Sequence, residues 1–300
     1  LNETKISSFH RFDDPLILYK GVNAMHPMIV LDQAIYHEND FTPFALTDIL
    51  TEYSRKNNQM FLHFWQYDQT VILGMKDTRT PYFGKGIEEL KKLGYLPIVR
   101  NSGGLGIISD NGILNLSLIF PQNDTKKISI DTAYEKMLAL TQTAFPNVII
   151  QAFEITHSYC PGTYDLSING KKFAGIAQRR IKNGISVMMY LSVNGNQQAR
   201  GNAMKSFYQM ALQEAVGKDG YPIVMPESMA TLEELLKVSL TIEEVKDKFS
   251  MALEKLYGET LFLDSFDWKE KHVSLKQWTE QIQRMENRNR IKELAHDSTL

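Results

Sequence analysis

The sequence predicts an α+β fold that ends in an appended helical region, and three observations predict it. Apolar stripes at helical spacing alternate with short runs of β-branched and aromatic residues through the first half of the chain. Two hairpin turn signals then follow one another within residues 166–191, the pattern of an antiparallel meander. Beyond about residue 203 the texture is helical, and Thr231…Glu234, Thr241…Glu244 and Ser274…Gln277 all have the capping-box spacing.

Taken in order after a mixed beginning, "FALTDILTEYSRK" (44–56) carries apolar residues at helical spacing, and "MFLHFWQYDQTVILGM" (60–75) has the aromatic and β-branched content of strand. "IEELKKLGY" (87–95) reads as a helix closed by Gly94, and "LPIVR" (96–100) leads as a strand into the glycine-rich turn "NSGGLG" (101–106). "ILNLSLIF" (113–120) is a further strand. "SIDTAYEKMLALTQTAF" (129–145) has a polar start and an apolar stripe at Tyr134, Met137, Leu138 and Leu140, so it is predicted to be an amphipathic helix. "DLSI" and "KKFA" flank Asn169-Gly170, a pair suited to a two-residue type I′ turn because both central residues take positive φ. That turn sets Ile168 opposite Lys171 and Ser167 opposite Lys172. "QRRIK" and "ISVMMYL" are expected to join in the same way through Asn183-Gly184. "KSFYQMALQEAVG" (205–217) reads as a helix with a glycine cap. The last helix, about 274–296, has Trp278, Ile282 and Met285 on one face with which to dock.

Composition narrows the function classes. The 300 residues are 43% hydrophobic, enough to bury a substantial core, and 33 basic and 35 acidic residues are well mixed, so the broad basic face of a nucleic-acid binder is not expected. No apolar run approaches the roughly 18 residues of a membrane span, and the polar start does not resemble a signal peptide; the expectation is a soluble, cytoplasmic protein that uses no membrane. No repeat or low-complexity tract is present.

The single cysteine, Cys160, has no partner for an internal disulfide and lies just ahead of a basic hairpin. A free thiol titrates near about 8.5, so a nucleophilic cysteine needs a neighbouring cation or base. The Asn-Gly turn folds Lys172 back beside the segment that follows Cys160, which brings an amine within expected reach of the sulfur. The alternative is a small buried apolar cysteine beside a solvated lysine. His157 is a rival base. "HSYC" also has the spacing of two metal ligands, but no second pair accompanies it, and no metal site is expected. Arg179 and Arg180 point to opposite faces of one strand, so at most one of them faces a site. In "RNSGGLG", glycines 103, 104 and 106 allow close backbone approach to an oxyanion or carbonyl, yet a simple tight turn has the same composition. Trp65, Phe61 and Phe64 suit either a plain core or the wall of an apolar tunnel.

Two stretches, "PIVRNSGGLGIISDNGILNLSLI" (97–119) and "SYCPGTYDLSINGKKFAGIAQRR" (158–180), resemble in order and spacing the two signature regions of the lipoate and biotin protein ligase superfamily. Within it the chain looks most like the cysteine-dependent octanoyl amidotransferases, over about residues 44–225. It departs from the ligase pattern "RRxSGGGAVxHD" with Arg100-Asn101 for the arginine pair, Leu105 for the third glycine and Ser109 for the histidine, which weakens an adenylating reading. The resemblance implies a mixed sheet with helices, a smaller sheet packed against it and an apolar acyl tunnel. It implies an acyltransferase domain over 1–225 and a helical subdomain over 226–300. By position in the motifs it makes Cys160 the acyl-thioester nucleophile, Lys172 its activator, and Arg100, Ser102, Gly103, Gly104 and Gly175 acyl-binding residues. The implied donor is the octanoylated glycine cleavage H protein and the implied acceptor a lipoyl domain of a 2-oxoacid dehydrogenase E2 subunit, in lipoate biosynthesis, with no cofactor. The alternatives are an ATP-dependent lipoate or octanoate ligase, a transferase from acylated acyl carrier protein, and a non-catalytic binder of lipoyl domains. Lys171, Arg179 and Arg180 are the residues expected to form a local recognition patch.

Overall fold

The computed structural model describes residues 26–36, 40–122 and 127–290. Its framework is an eight-stranded mixed sheet built from β1 (Met28–Tyr36), β2 (Phe61–Tyr67), β6 (Ile113–Pro121), β7 (Gln151–Ala152), β8 (Leu166–Ile168), β9 (Lys171–Ile181), β10 (Gly184–Ser192) and β11 (Thr260–Asp264), in the spatial order β11-β1-β2-β6-β10-β9-β8-β7. A second, three-stranded sheet contains β3 (Thr70–Leu73), β4 (Leu96–Val99) and β5 (Ile107–Ser109), with β3 in the middle. The mixed sheet and the smaller companion sheet are those the resemblance implied.

Strand alternation divides the large sheet's side chains between two faces. Leu62, Phe64, Leu116, Leu118, Val187 and Met189 enter a core with Met137 and Leu140 of α3 (Ile130–Ala144) and Phe249 and Leu253 of α6 (Ile242–Tyr257). On the other face, Phe61 and Ile119 pack against Leu46, Ile49 and Leu50 of α1 (Thr42–Asn57) and Trp268 of α7 (Ser265–His272). Farther along that face Trp65 and Tyr190 share a core with the small sheet, α2 (Phe83–Lys92) and α4 (Gln197–Leu212). The candidate site lies where the two sheets face each other, lined by residues of both.

The first hairpin has the register its turn dictates. Asn169 and Gly170 have φ of 52° and 75°, Ile168 faces Lys171 and Ser167 faces Lys172. The second turn differs by one residue. Lys182 and Asn183 carry the positive φ values, 47° and 66°, and Gly184 already pairs with Ile181. Packing decides this: a Cβ on Gly184 would lie 2.0 Å from the Thr51 carbonyl oxygen, so glycine is needed in the strand, and asparagine tolerates the left-handed position.

The helix expected to end at Gly217 stops at Leu212, where Gln213 takes φ of 51°. In the last third, the capping boxes at Thr231 and Thr241 form completely, ahead of α5 (Leu232–Leu236) and α6. Ser274 caps α8 (Leu275–Arg288) by accepting the Gln277 N–H. Met285 on α8 is buried in the second core, and Asn289 just beyond it pairs with both backbone groups of Val99. The expected continuation of that helix beyond 290 lies outside the described residues. One element of this region is a strand: β11 runs parallel to β1 at the sheet edge, so residues 260–264 belong to the same sheet as the first two thirds. Among the described residues no helix is long and apolar enough to cross a membrane.

Candidate active site

The glycine-rich turn bridges β4 and β5 and is held from three directions. The Arg100 N–H bonds the Leu73 carbonyl at 2.9 Å, and the Arg100 Nη2 reaches over the turn to the Gly103 carbonyl at 2.7 Å. Arg179 grips Asp48 through Nε (2.7 Å) and Nη2 (3.0 Å) and donates Nη1 to the Asn101 carbonyl at 2.7 Å. Burial pushes the Asp48 carboxyl up in pKa, against the pull of Arg179. Gly104 has φ of 95°, and a Cβ there would lie 2.3 Å from Arg100 Nη2 and 3.1 Å from Cys160 Sγ. The Gly104 carbonyl in turn lies where a Cβ on Gly74 would stand, 1.9 Å away. Two glycines thus let two backbone segments, the Arg100 guanidinium and the Cys160 sulfur meet where a further side chain would not fit.

Cys160 lies against this turn, with φ of 50° and a partly buried thiol. A left-handed conformation costs a non-glycine residue about 1–2 kcal/mol and persists where its surroundings enforce it. Here they do so from both ends. The Leu105 N–H donates to Sγ at 3.2 Å and the Arg100 Nη2 stands 3.6 Å from it. Lys172 Nζ donates to the Cys160 carbonyl at 2.7 Å, the Ser158 hydroxyl at 3.1 Å and the Tyr159 carbonyl at 3.2 Å. It also pairs with Asp165 Oδ1 at 2.8 Å, the two side chains being 4% and 2% exposed. Asp165 Oδ2 accepts the Ile155 and Gly162 N–H groups at 3.1 and 3.2 Å. Burial raises the Asp165 pKa in spite of these donors. The expected reach of Lys172 to the sulfur is therefore replaced by a bond to the carbonyl of the same cysteine. The positive φ turns the carbonyl toward the hairpin while the thiol meets the glycine turn.

Around the thiol lies a cavity of about 270 Å³, close to the lower end of small-molecule pockets, roughly 300 Å³. Arg100, Ser102, Gly103, Gly104, Cys160, Lys172 and Gly175 all line it, so the residues singled out in two distant stretches converge on one space. Its floor is a row of directly paired residues across four strands, Trp65, Asn115, Tyr190 and Gly175. Phe44, Ile72 and Ile107 also line it, as do Tyr134 and Tyr164, whose rings are tilted by 33° with centroids 4.9 Å apart. Gly175 leaves room for the lysine, since a Cβ there would meet Lys172 Cε at 3.3 Å. The polar groups of the floor are paired sideways: Asn115 Nδ2 donates to Ser109 Oγ at 3.0 Å, Trp65 Nε1 to Ser117 Oγ at 3.3 Å, and the Tyr190 and Tyr159 hydroxyls bond each other. What faces the cavity is mainly apolar wall, suited to an alkyl chain. Trp65 thus belongs to the tunnel reading; Phe61 and Phe64 belong to the cores.

Other expected participants lie elsewhere. His157 is exposed and its Nδ1 stands 3.3 Å from the Ile223 carbonyl. Arg179 is spent on Asp48 and Asn101, and Arg180 bonds Gln178, Gln122 and the carbonyls of Ile128 and Ser129. Sequence reasoning missed Asp165 and the Leu105 N–H. The need for a buried lysine to have a carboxylate partner was the available signal for the first; a backbone donor leaves none.

Residues 39–254 match the family model described as lipoyl protein ligase A/B catalytic domain. The chain is 45% identical over 234 residues, 76% of its length and 84% of the relative's, to the protein of Macrococcus caseolyticus named octanoyl-GcvH:protein N-octanoyltransferase. A relative of the same name from Geobacillus kaustophilus is 40% identical over 250 residues, 81% of this chain and 86% of its own. Among solved structures, lipoate-protein ligase A bound with ATP superposes with a TM-score of 0.64 at 16% identity, covering 92% of this chain and 100% of that one. The bipartite lipoate protein ligase of Thermoplasma acidophilum gives 0.60 at 16% identity, covering 92% and 98%. Extent and identity leave one assignment: the chain belongs to the lipoyl protein ligase A/B catalytic domain family.

Proposed function

We propose that this chain is a protein N-octanoyltransferase that takes an octanoyl group from a lysine of the glycine cleavage H protein and gives it to a lysine of a lipoyl domain of an E2 subunit, through a thioester on Cys160. The observation that carries the reading is the seat of the thiol: the single cysteine lies against a backbone N–H and a guanidinium at the end of an apolar cavity. The donor named for the 45% identical relatives supports the choice of substrate.

In the first half-reaction the Cys160 sulfur attacks the amide carbonyl of the octanoyl-lysine, the alkyl chain lying along Trp65 and Ile72. The C–S bond forms, the C–N bond breaks, and the departing lysine amine takes a proton from Lys172, whose Nζ borders the cavity 3.5 Å from the place a Gly175 Cβ would occupy. The Gly103–Gly104 backbone borders the carbonyl. In the second half-reaction the amine of the incoming lysine attacks the thioester, its C–N bond forms as the C–S bond breaks, its proton passes to the neutral Lys172, and the Cys160 sulfur leaves as thiolate. One amide is exchanged for another, so the net free-energy change is small and the reaction needs no nucleotide.

The test is to mix the protein with octanoylated H protein without nucleotide, quench in acid and record its intact mass, with Cys160→Ala alongside. A gain of one octanoyl group that the variant lacks is the expected result. Acylation of a lipoyl domain that appears only with ATP and free octanoate would replace this reading with a ligase.

A further inference from the structure

Arg100 is the buried charge in this site whose partners do not account for it. Its residue is 7% exposed, yet it appears in none of the ion pairs among the described residues. Its Nη2 is shared between the Gly103 carbonyl and the Cys160 sulfur, and its Nε is buried with no hydrogen-bond partner. No carboxylate bonds this guanidinium directly, and the buried Asp77 acts on it only at longer range, so its desolvation is incompletely offset, and an orphaned N–H adds to the cost. The same side chain borders the cavity that holds the thiol. By contrast Lys172, the other cation here, has a carboxylate and three oxygen acceptors, none of them the sulfur.

We infer that Arg100 is a catalytic residue with two duties: its Nη2 is the counter-ion of the Cys160 thiolate, and its Nε is the donor for the oxygen of the acyl group in the tetrahedral intermediate. The inference rests on the reading of Cys160 as the acyl acceptor. When the sulfur attacks as thiolate, its negative charge lies beside the guanidinium and under the Leu105 N–H. On attack the sulfur pair forms the C–S bond and the carbonyl π pair moves onto oxygen. Negative charge thereby passes from the sulfur, near Nη2, to an oxygen beside Nε of the same planar group. The fork suits this because Nη2 and Nε belong to one planar cation, and a small rotation that uncovers the buried Nε to the cavity lets it serve both atoms. Collapse returns the pair to the carbonyl and expels the amine, which is protonated by Lys172 as above. The arrangement separates two jobs that the sequence assigned to one lysine: charge stabilisation belongs to Arg100 and proton delivery to Lys172.

The experiment compares wild type, Arg100→Gln, Arg100→Lys and Lys172→Met in two assays. The first is the rate at which iodoacetamide alkylates the only cysteine, at pH 7 and at pH 9.5. The second is the single-turnover rate of acylation by octanoylated H protein, read by intact mass. Arg100→Gln is expected to alkylate at least ten-fold more slowly than wild type at pH 7 and at a similar rate at pH 9.5, where the thiol ionises without help. It is expected to acylate about 10²–10³-fold more slowly, the usual loss for one oxyanion donor. Arg100→Lys is expected to recover most of the alkylation at pH 7 and little of the acylation, because a point charge serves the thiolate but supplies no second donor at the Nε position. A purely structural role would depress both assays together and at both pH values. Wild-type alkylation at pH 7 in Arg100→Gln, with the slow reaction found in Lys172→Met instead, would overturn the inference. Absence of any octanoyl adduct on wild type would be a different result: it would sink the acyl-enzyme reading, while the alkylation arm would still report whether Arg100 holds the thiolate.

Discussion

The pair formed by Lys172 and Asp165 should behave as a buried ion pair whose loss is costly one partner at a time. Its atoms are 2.8 Å apart, with side chains 4% and 2% exposed. Asp165→Asn keeps the shape but leaves the ammonium without its counter-charge, and the expected loss is about 3–5 kcal/mol. Lys172→Met leaves the carboxylate stranded. Burial already raises the Asp165 pKa above 3.8, and the pull of Lys172 limits that rise. A raised carboxyl pKa means that the folded state binds a proton which the unfolded chain releases, so this group subtracts stability as pH rises above the unfolded value. The penalty of Lys172→Met should therefore grow between pH 5 and pH 8. The double variant Lys172→Met/Asp165→Asn removes both charges and keeps one side-chain oxygen for the Ile155 and Gly162 N–H groups, so it should recover part of the summed loss and not all of it. Urea unfolding at 25 °C, followed by tryptophan fluorescence, gives all four free energies of the cycle. Single variants within 1 kcal/mol of wild type, or strictly additive losses, would refute the reasoning.

Gly104→Ala is expected to keep the far-ultraviolet spectrum but reduce acylation more than a hundred-fold, because its Cβ would stand 2.3 Å from Arg100 Nη2 and 3.1 Å from the sulfur on a backbone with φ of 95°; normal single-turnover acylation would show that the turn can yield. Two further buried groups, His63 on β2 and Asp77 beside the glycine turn, act on stability in opposite directions. Burial holds the His63 pKa at about 3 against 6.5, so acid costs stability as pH falls below 6.5; burial pushes Asp77 up from 3.8 to about 7, so stability falls as pH rises across nearly the same range. Each slope approaches about 1.4 kcal/mol per pH unit. Between pH 4.5 and 6.5, Asp77→Asn should make acid more damaging than in wild type and His63→Gln less so, which urea midpoints at the two pH values will check; curves parallel to wild type would refute the assignment.

Much of this molecule was legible because it is local. Asn169-Gly170 dictates its own register, so the cross-strand placement of Lys172 followed from a two-residue turn. The capping boxes at Thr231 and Thr241 are likewise contained within four residues. What failed depended on partners distant in sequence. The second hairpin shifted by one residue because Gly184 must fit against Thr51, and β11 became a strand because β1, more than 220 positions earlier, offers it an edge (Met28 to Thr260). The site shows the same division. Its residues could be gathered from two motifs, but which atom each one touches depends on the left-handed turn at Cys160, which no composition signal announces.

Leu105 shows how a departure from the ligase pattern acquires a physical meaning. That pattern has glycine where this chain has leucine, and the difference first reads only as a weakened phosphate loop. In the fold the Leu105 side chain is buried with Ile72, Ile107 and Met204 in the second core, an anchor worth about 1.5–3 kcal/mol. Its backbone N–H, in the same residue, is the donor to the Cys160 sulfur. Burying the side chain therefore fixes the direction of the N–H, and it also fixes the turn that carries Gly103 and Gly104. A glycine at this position would leave the N–H free to move with the loop. A thioester enzyme has the opposite requirement, because its nucleophile belongs to the protein and the donors must already be aimed at it before the substrate enters. Leucine in place of glycine is what a preorganised thiolate site would select, and the chemistry proposed for Cys160 supplies the reason for it.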